Sequence, residues 1–356
     1  MAESFIPTAG LHRWVDELWR AAGSNEREAL LTADHLVGAN LAGHDSHGVG
    51  MIPRYVKSLL AGELQLNRAV TTVVDAGTLV ALDGHHGMGQ SIAFQAMEIA
   101  IDRARRHGVC AMGLRNAHHI GRVGHWAEQA VTAGFASIHF TNAVSPQAMV
   151  APYGGAQPRF STNPFTVGIP RRGAEPILLD FATSAIAYGK VRVAYNRRSS
   201  VPPGCLIDAQ GRATEDPAVM FEPPLGALVP FGAHKGYALA MVCELLGGAL
   251  AGGPTMRPDA MNDKYAIWNG MFAVVFDPQR MGSGSTFEDE ARRFIEWVQS
   301  ENDSILMPGD PERRSRKQRA EAVPIDGETL AELNAAAADV ARASGRVVRP
   351  LSAGAR

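Results

Sequence analysis

Two adjacent histidines, His118 and His119, form the most chemically suggestive cluster in the sequence. They follow an apolar run over residues 109–114 that is typical of a buried strand, and Arg122 comes shortly after them. Polar clusters at the end of a buried strand are where α/β enzymes commonly keep their reactive groups. Histidine titrates near neutral pH and is the usual proton donor or acceptor. Because neighbouring side chains on an extended backbone point to opposite sides, we expect only one of the two to face a cleft.

A second polar cluster contains Ser46 and His47, and Arg54 follows seven residues after the histidine. A guanidinium binds a carboxylate through two parallel N–H bonds, so Arg54 is a candidate partner for a substrate carboxylate. Ser46 and His47 are candidates to relay or orient a proton. Residues seven apart share one face of a helix, but Pro53 and two glycines disfavour an unbroken helix here. A helix cap followed by a surface arginine is the alternative interpretation.

Several turns could hold an anion, although the dinucleotide fingerprint Gly-x-Gly-x-x-Gly is absent from the sequence. Residues 121–124 open a predicted helix, whose free N–H groups and dipole favour a phosphate. His234 and Lys235 stand at the start of an apolar helix, where two cations favour a bound phosphate or carboxylate. Residues 307–310 form another tight turn. Each signal is weak by itself, since tight turns usually serve only the fold.

The composition is that of an ordinary globular protein. The 356 residues are 46% hydrophobic and 20% charged, with a formal net charge of −2. This gives no electrostatic case for a nucleic-acid or membrane partner, and the basic residues 313–319 are interpreted as a solvated face. Three widely spaced cysteines argue against a disulfide framework. Because neither a signal peptide nor a membrane span is recognisable, we expect a cytoplasmic location.

The twelve histidines make a metal site worth testing. His44 and His47 have the i, i+3 spacing that can place two ligands on one face, but the His-Glu-x-x-His signature is absent. No acidic residue recurs beside the other histidines, so we expect no metal. A metal-dependent hydrolase that uses His44, His47 and His119 is kept as the alternative from a different enzyme class.

Hydrophobic periodicity predicts a helical N-terminal region followed by strands mixed with helices. Two helices are predicted within residues 8–42, with Ser24 as the N-cap of the second. Residues 84–89 are predicted to form a tight loop, and residues 236–248 a strongly apolar helix. The mixture implies an α/β or α+β fold.

The chain is expected to divide into three regions. Residues 1–70 form the helical N-terminal region with the Ser-His turn. Residues 71–305 form a mixed α/β core that binds cofactor and substrate. Residues 306–356 form a turn and a helix that return to the N-terminal region.

Long, ordered motifs in this chain resemble the malate/L-lactate dehydrogenase family, which is separate from the Rossmann-type lactate and malate dehydrogenases. The motifs are His44-Asp-Ser-His-Gly-Val-Gly-Met-Ile-Pro-Arg54, His119-Ile-Gly121, Ser161-Thr-Asn-Pro164, Leu179-Asp-Phe-Ala-Thr-Ser184 with Gly189-Lys190, and His234-Lys-Gly-Tyr-Ala-Leu239. The likeness runs from about residue 11 to residue 324 and is greatest to the bacterial hydroxycarboxylate dehydrogenase branch. Chance is a poor explanation for motifs of this length and order.

The resemblance implies an α/β (α+β mixed) fold whose NAD(P)-binding part is not a Rossmann domain. It implies an oxidoreductase that interconverts 2-oxo acids and 2-hydroxy acids by hydride transfer, with NAD or NADP as cofactor, and a homodimer. The substrates would be malate-like or lactate-like, or carry larger side chains. A cyclic imine acid reductase and a ureidoglycolate-type dehydrogenase are the alternatives within the family.

The resemblance also implies roles for single residues. His119 corresponds to the catalytic acid/base, and Ser46 and His47 to the relay pair. The implied substrate-binding residues are Arg54, Thr162, Thr183, Ser184 and Lys190. The implied cofactor contacts are His47, Gly121, Arg122, Val123, Leu178, Leu179, Asp180, Phe181, Ala182, His234, Lys235, Asn269, Pro308 and Gly309. This chain departs from many relatives at Ala233, where they carry glycine, and at residues 141–147.

Overall fold

The structure, a computed structural model, describes residues 3–282, 284–302 and 304–352. Its helices are α1 (Thr8–Ala22), α2 (Glu26–Leu41), α3 (Ile52–Leu60), α4 (Gly89–His107), α5 (Gly124–Thr132), α6 (Tyr188–Asn196), α7 (His234–Cys243), α8 (Gly284–Gln299), α9 (Asp310–Gln318) and α10 (Gly327–Ser344). Its strands are β1 (Glu3–Pro7), β2 (Thr71–Ala76), β3 (Leu79–Gly87), β4 (Val109–His118), β5 (Ala136–Val144), β6 (Phe165–Ile169), β7 (Ile177–Phe181), β8 (Leu206–Ile207), β9 (Ala213–Thr214), β10 (Ala227–Leu228), β11 (Trp268–Phe276) and β12 (Ala322–Asp326).

A seven-stranded sheet in the order β2-β3-β4-β11-β5-β6-β7 forms the centre of the molecule. Within it only the β3–β4 pair is parallel, and β11 pairs antiparallel with both β4 and β5. One face buries apolar side chains of α4 and of the strands, among them Met97, Met112 and Met271. The expectation of a mixed fold without a doubly wound parallel sheet is therefore confirmed.

A second hydrophobic core joins the two ends of the chain. Leu18 and Trp19 of α1 pack there with Tyr55 of α3 and Leu333 of α10. Next to this core β1 pairs antiparallel with β12, with Ile6 opposite Val323. Neither strand is evident from the hydrophobic pattern of the sequence, because each is five residues long and forms only with a partner from the other end of the chain. The boundaries at residues 70 and 305 stay a prediction.

The predicted N-cap of α2 is wrong by one residue. Asn25 is the cap, and its side chain accepts a hydrogen bond from the backbone N–H of Glu28 at 2.9 Å. Ser24 instead donates its hydroxyl to the buried carboxylate of Glu28 at 2.7 Å. Ser and Asn are equally favourable N-cap residues. Asn25 is the cap here because the hydroxyl of Ser24 is bonded to the buried carboxylate of Glu28.

Two further local predictions need correction. Residues 84–89 are not a separate tight loop, because β3 continues to Gly87 through an irregular stretch in which His85 and His86 have positive φ. The apolar helix begins at His234 rather than Gly236, and at Glu244 it becomes a π-helical segment that ends at Leu250. Within the described residues, no helix is long and apolar enough to cross a membrane.

Ala233, just before α7, carries strained backbone. Its φ of 56° and ψ of −118° lie in a region that an L side chain rarely adopts and glycine adopts freely. We expect Ala233→Gly to raise the free energy of unfolding by about 1 kcal/mol, because relief of strain exceeds the added entropy of the unfolded chain. Urea denaturation monitored by circular dichroism measures the change.

The matched control is Ala238→Gly, an exposed position inside α7. There the same substitution should lower the free energy of unfolding by roughly 0.5–1 kcal/mol, since helix interiors disfavour glycine. If Ala233→Gly destabilised the protein as much as this control, the backbone at residue 233 would not be strained.

Candidate active site

The segment between β4 and α5, residues 118–124, is held by three side chains from different elements. The backbone N–H of Ile120 donates to Asn269 Oδ1 of β11 at 2.8 Å. The next acceptors are His35 Nε2 of α2, which binds the N–H of Arg122 at 2.8 Å, and Asp180 Oδ2 of β7, which binds the N–H of Gly124 at 2.9 Å. We call residues 118–124 the histidine loop. Buried N–H groups satisfied from three sides make its path rigid.

These contacts correct the interpretation of residues 121–124 as an open anion site. The first N–H of α5 already binds the Asp180 carboxylate, which also accepts a bond from Thr166 Oγ1 at 2.8 Å. The N–H of Arg122 is likewise occupied. A phosphate at this helix start would have to displace a protein carboxylate.

His119 is 8% exposed and contacts the phenol of Tyr55, whose oxygen lies 2.5 Å from His119 Nδ1. Gln90 Nε2 donates to the same phenol oxygen and to the carbonyl of His119, both at 3.2 Å. Burial raises the pKa of Tyr55, so the phenol keeps its proton, and its oxygen occupies Nδ1 of His119. Nε2 is the ring nitrogen that this contact leaves for another partner. Burial, followed by the nearby His47, lowers the pKa of His119 well below its ordinary value.

His118 faces a different set of partners. Its Nε2 lies 3.1 Å from Ser58 Oγ, and its ring packs edge-on against Trp268 with centroids 5.6 Å apart. It is fully buried, and this burial lowers its pKa to about 3. Alternation along β4 therefore separates the two rings as the sequence suggested, and His118 is enclosed by protein side chains.

Ser46 and His47 lie beside His119. Two short 3-10 turns, Asp45–His47 and Val49–Met51, replace the helix that would have aligned His47 with Arg54. Ser46 Oγ is 3.0 Å from His47 Nδ1, and the His47 and His119 rings stack with centroids 5.6 Å apart. Burial, followed by His44, lowers the pKa of His47 to about 4. Two neutral imidazoles thus face each other.

Arg54 lies in the first turn of α3 and is half-buried. Its Nε donates to the carbonyl of Tyr265 at 2.7 Å, and its Nη2 to that of Ala266 at 3.4 Å. The guanidinium is therefore held along its Nε–Nη2 edge. Burial lowers its pKa, and the nearby Tyr55 and Tyr188 oppose this. An arginine remains charged under these conditions.

The other predicted substrate-binding residues differ in whether their side chains are already hydrogen-bonded within the protein. Thr183 donates its hydroxyl to the carbonyls of Thr162 and Asn163 at 3.0 and 3.1 Å, and Ser184 donates its hydroxyl to the carbonyl of Ile186 at 2.8 Å. Both hydroxyls therefore serve the turn itself. Lys190 is exposed on α6.

The start of α6 touches the Ser-His turn. A Cβ atom on Gly189 would lie 2.4 Å from the Cβ of Ser46, so only glycine permits this approach. The contact brings the start of α6, which carries Lys190 as its third residue, against the Ser46–His47 pair. The Gly-Lys motif and the Ser-His motif, far apart in the sequence, thus meet in one place.

Among the predicted cofactor contacts, Arg122 is buried at 3% exposure and paired with acidic groups. Its Nη2 lies 2.6 Å from Glu128 Oε1, and its Nη1 lies 3.7 Å from Asp180 Oδ2. The amide of Asn269 is occupied at both ends, because it accepts from Ile120 and donates to the carbonyl of Asn142 at 2.7 Å. These side chains are engaged in holding the histidine loop.

A backbone hydrogen bond joins two other segments that are predicted to contact the cofactor. The N–H of Leu178 donates to the carbonyl of Pro308 at 3.1 Å. Gly309 has a φ of 97°, and a Cβ there would lie 3.2 Å from the Cβ of Leu178. In the rest of this set, Phe181 and Ala182 are half-buried, while Leu179, His234 and Lys235 are exposed.

The basic residues 313–319 were interpreted as a solvated face, which is wrong for three of their four arginines, since Arg313 also binds Asp310 at 2.8 Å. Arg316 binds Glu128 at 2.8 and 2.9 Å, and Arg319 binds Asp45 at 2.7 Å. His44 is paired with Glu312 of the same helix at 3.1 Å. Polar contacts from Glu312 of α9 and from Arg319, the residue after this helix, therefore hold it to the Ser-His turn. In the described ranges, no group of three or more His, Cys, Asp or Glu side chains is placed to hold a metal ion.

Sequence reasoning missed Tyr55, Gln90 and His35 as members of the site. Tyr55 fits the apolar periodicity of α3, which indicates only a helical residue, and Gln90 is an ordinary polar residue at the start of α4. His35 lies inside a helical pattern. No local signal distinguishes these residues, because their roles depend on contacts with the histidine loop.

Comparison with known proteins gives one consistent result. The sequence model of the malate/L-lactate dehydrogenase family matches residues 6–334. Hydroxycarboxylate dehydrogenase B of Escherichia coli K12 is 49% identical over 89% of each chain, and an L-lactate dehydrogenase of Cupriavidus necator is 38% identical over 83% of this chain and 86% of that protein. The solved sulfolactate dehydrogenase of Methanocaldococcus jannaschii superimposes with a TM-score of 0.82 at 29% identity, covering 97% of this chain and 98% of that one.

The buried histidines predict that stability falls in mild acid. Folding lowers the pKa of His47 and His125 to about 4, and of His118 and His139 to about 3. Below about pH 6.5 the unfolded chain binds protons that the folded chain does not, so stability is complete above that pH and is lost as the pH falls toward 4. Urea midpoints at pH 7.5, 6.5, 5.5 and 4.5 measure this loss.

A single substitution tests the assignment of this pH dependence. His139→Asn should reduce the slope of the free energy of unfolding by about 1.4 kcal/mol per pH unit between pH 6 and 4, because one proton fewer is taken up on unfolding. His107→Asn, at an exposed position, should leave the slope unchanged. A urea midpoint that is constant from pH 7.5 to 4.5 would contradict the assignment.

Proposed function

Because the chain belongs to the malate/L-lactate dehydrogenase family and is a 2-hydroxyacid dehydrogenase, we propose that it interconverts 2-oxo acids and 2-hydroxy acids with NAD or NADP, using His119 as the acid/base. The observation that carries this proposal is the contact between Tyr55 and His119 Nδ1, which leaves Nε2 as the reacting nitrogen. A family name alone does not identify the acid.

His119 handles the proton. In the reducing direction, a protonated His119 gives its Nε2 proton to the oxygen of the substrate carbonyl as that oxygen gains negative charge. Burial makes this imidazolium a strong acid, so the transfer is favourable, and the neutral ring that remains is the stable form in this environment. In the oxidising direction the ring is neutral with its proton on Nδ1, toward the Tyr55 oxygen, and Nε2 takes the hydroxyl proton. Tyr55 and Gln90 keep the ring in one orientation throughout.

Ser46 and His47 form the path along which His119 exchanges its proton with solvent. The His47 ring stacks on that of His119, and the hydroxyl of Ser46 binds His47 Nδ1. His47 is among the groups that lower the pKa of His119, so a proton on one ring disfavours a proton on the other. We therefore expect His47 to take up a proton after His119 has delivered its own.

Arg54 binds the substrate carboxylate. Its Nε–Nη2 edge is anchored on the carbonyls of Tyr265 and Ala266, which leaves Nη1 and the second N–H of Nη2 free to bind both carboxylate oxygens. A guanidinium fixed in this way orients the acid as well as binding it. The ligand class is thereby limited to acids.

The residues near the histidines fit a nicotinamide dinucleotide. Lys190, which follows the glycine that touches Ser46, is an exposed cation and suits an anionic ligand, and Leu178 with Pro308 and Gly309 offers a backbone-lined wall. Arg122 does not suit a 2′-phosphate, because Glu128 and Asp180 already balance its charge. The bound cofactor would supply the hydride, and the protein would supply orientation and proton transfer.

Activity with a panel of 2-oxo acids tests the proposal. We expect oxidation of NADH or NADPH, followed by absorbance, with at least one acid among pyruvate, oxaloacetate and longer or bulkier homologues. We expect His119→Gln to lower kcat by about 10²–10⁴-fold, the usual contribution of a positioned acid, without changing the thermal shift caused by cofactor.

His107→Gln, an exposed histidine, is the control and should keep full activity. Full activity of His119→Gln would contradict only the role of His119. No turnover with any acid of the panel, together with no thermal shift by either dinucleotide, would reject the function itself. Turnover restricted to cyclic imine acids would favour the reductase alternative, since a relative from Pseudomonas syringae that is 34% identical is named as a Delta(1)-pyrroline-2-carboxylate/Delta(1)-piperideine-2-carboxylate reductase.

The homodimer uses the outer face of α7 and the π-helical segment after it. Val242, Leu245 and Leu250 are 39%, 51% and 62% exposed on these consecutive turns. Apolar side chains grouped on one exposed face mark interaction sites. Because relatives of this family are expected to pair, a second copy of this chain is the proposed occupant.

We expect Leu245→Glu to convert the dimer to a monomer, because a buried charge without a partner costs several kcal/mol at an interface. Sedimentation velocity measures the mass. Leu60→Glu introduces the same charge at an apolar residue that is 50% exposed on α3 and should leave the mass unchanged. A wild-type monomer at micromolar concentration would contradict the dimer.

A further inference from the structure

We propose that Glu63 is a positioning residue for Arg54, and that it acts through the backbone of residues 264–266. This inference rests on the proposed role of Arg54 as the binder of the substrate carboxylate. It adds a residue that neither the motifs nor the family resemblance pointed to.

One carboxylate orders three consecutive peptide groups. Glu63 Oε1 accepts the N–H of Lys264 at 2.7 Å, and Oε2 accepts those of Tyr265 at 3.0 Å and Ala266 at 2.8 Å. Hydrogen bonds to an ionised acceptor are stronger than neutral ones. The conformation of this segment therefore depends on one side chain that lies about 200 residues earlier in the sequence.

The same segment anchors Arg54 from its other side. The carbonyl of Tyr265 and the N–H of Ala266 belong to one peptide group, and in a trans peptide these two bonds point in opposite directions. The N–H binds Glu63, and the carbonyl binds Arg54 Nε at 2.7 Å. The peptide group thus stands between a negative and a positive charge, which polarise it and strengthen both bonds.

Glu63 also reaches toward the histidine loop. Ser58 Oγ lies 3.4 Å from Glu63 Oε2 and 3.1 Å from His118 Nε2. The residue therefore connects the segment that anchors Arg54 with the strand end that carries His119. Without its carboxylate, the carbonyls at residues 265 and 266 would lose their fixed direction, and so would the guanidinium edge that meets the substrate.

The test is a double-mutant cycle in the full-length enzyme, with KM and kcat measured for its best 2-oxo acid. Glu63→Gln places an NH₂ group opposite backbone N–H donors. We therefore expect KM to rise about 10-fold, which corresponds to the loss of one charged hydrogen bond. We expect kcat to change less than about 2-fold. In an Arg54→Ala background the same change should raise KM no further, because the residue that it positions is gone.

Two more variants separate positioning from general stability. Glu63→Asp keeps the carboxylate and should recover part of the lost affinity, and it also serves if Glu63→Gln does not fold. Glu28→Gln is the matched control, since this buried carboxylate accepts a bond from the Ser24 hydroxyl and one from the Asn67 N–H. We expect it to lower Tm without changing KM.

The outcomes are distinguishable. Additive KM effects of the two substitutions, or a Glu63→Gln enzyme with lowered Tm and unchanged KM, would overturn the role of Glu63 and leave that of Arg54 intact. An Arg54→Ala enzyme with unchanged KM would overturn both roles. Wild-type protein without dehydrogenase activity would overturn the proposed function.

Discussion

The rigid path of the histidine loop is the constraint on which the rest of the site depends. Asn269, His35 and Asp180 bind alternate backbone N–H groups of this loop, and they come from β11, α2 and β7. A loop held by three elements can present His119 in only one orientation. The same contacts explain why two residues that were predicted to bind the cofactor also serve the fold. The side-chain oxygens of Asn269 and Asp180 accept hydrogen bonds from the backbone of the histidine loop.

Burial determines the electrostatics of this site more than any single charge does. His118, His119 and His47 are all driven toward the neutral form by desolvation. Neutral rings tolerate close packing, which is why His47 and His119 can stack. The cations are held by specific partners: Arg54 by the carbonyls of residues 265 and 266, and Arg122 by Glu128. In the proposed mechanism, proton transfer and carboxylate binding are thus assigned to separate groups.

Local patterns identified most of the long elements, because a helix or a buried strand records its environment in its periodicity. The helices α1, α4 and α10 and the strand β4 are examples. The short strands β1 and β12 were not predicted, since a segment of five residues shows too little hydrophobic periodicity. The sequence disfavours an unbroken helix across Ser46–Arg54, and the structure has two 3-10 turns before α3. The side chain of Asn40 binds Asp45 and the N–H of Val49, and a Cβ on Gly48 would collide with it.

The sequence by itself determined which residue types are present for chemistry, in which order, and to which family the chain belongs, because motifs such as His119-Ile-Gly121 are contiguous. Only the tertiary structure decided which partners those residues have. Tyr55 and Gln90 occupy the Nδ1 side of His119 and leave Nε2 for the substrate, and Glu63 and Tyr265 set the direction of Arg54. The physical reason is that hydrogen bonds and desolvation act over a few ångströms in space, whereas these partners lie tens to hundreds of residues apart along the chain.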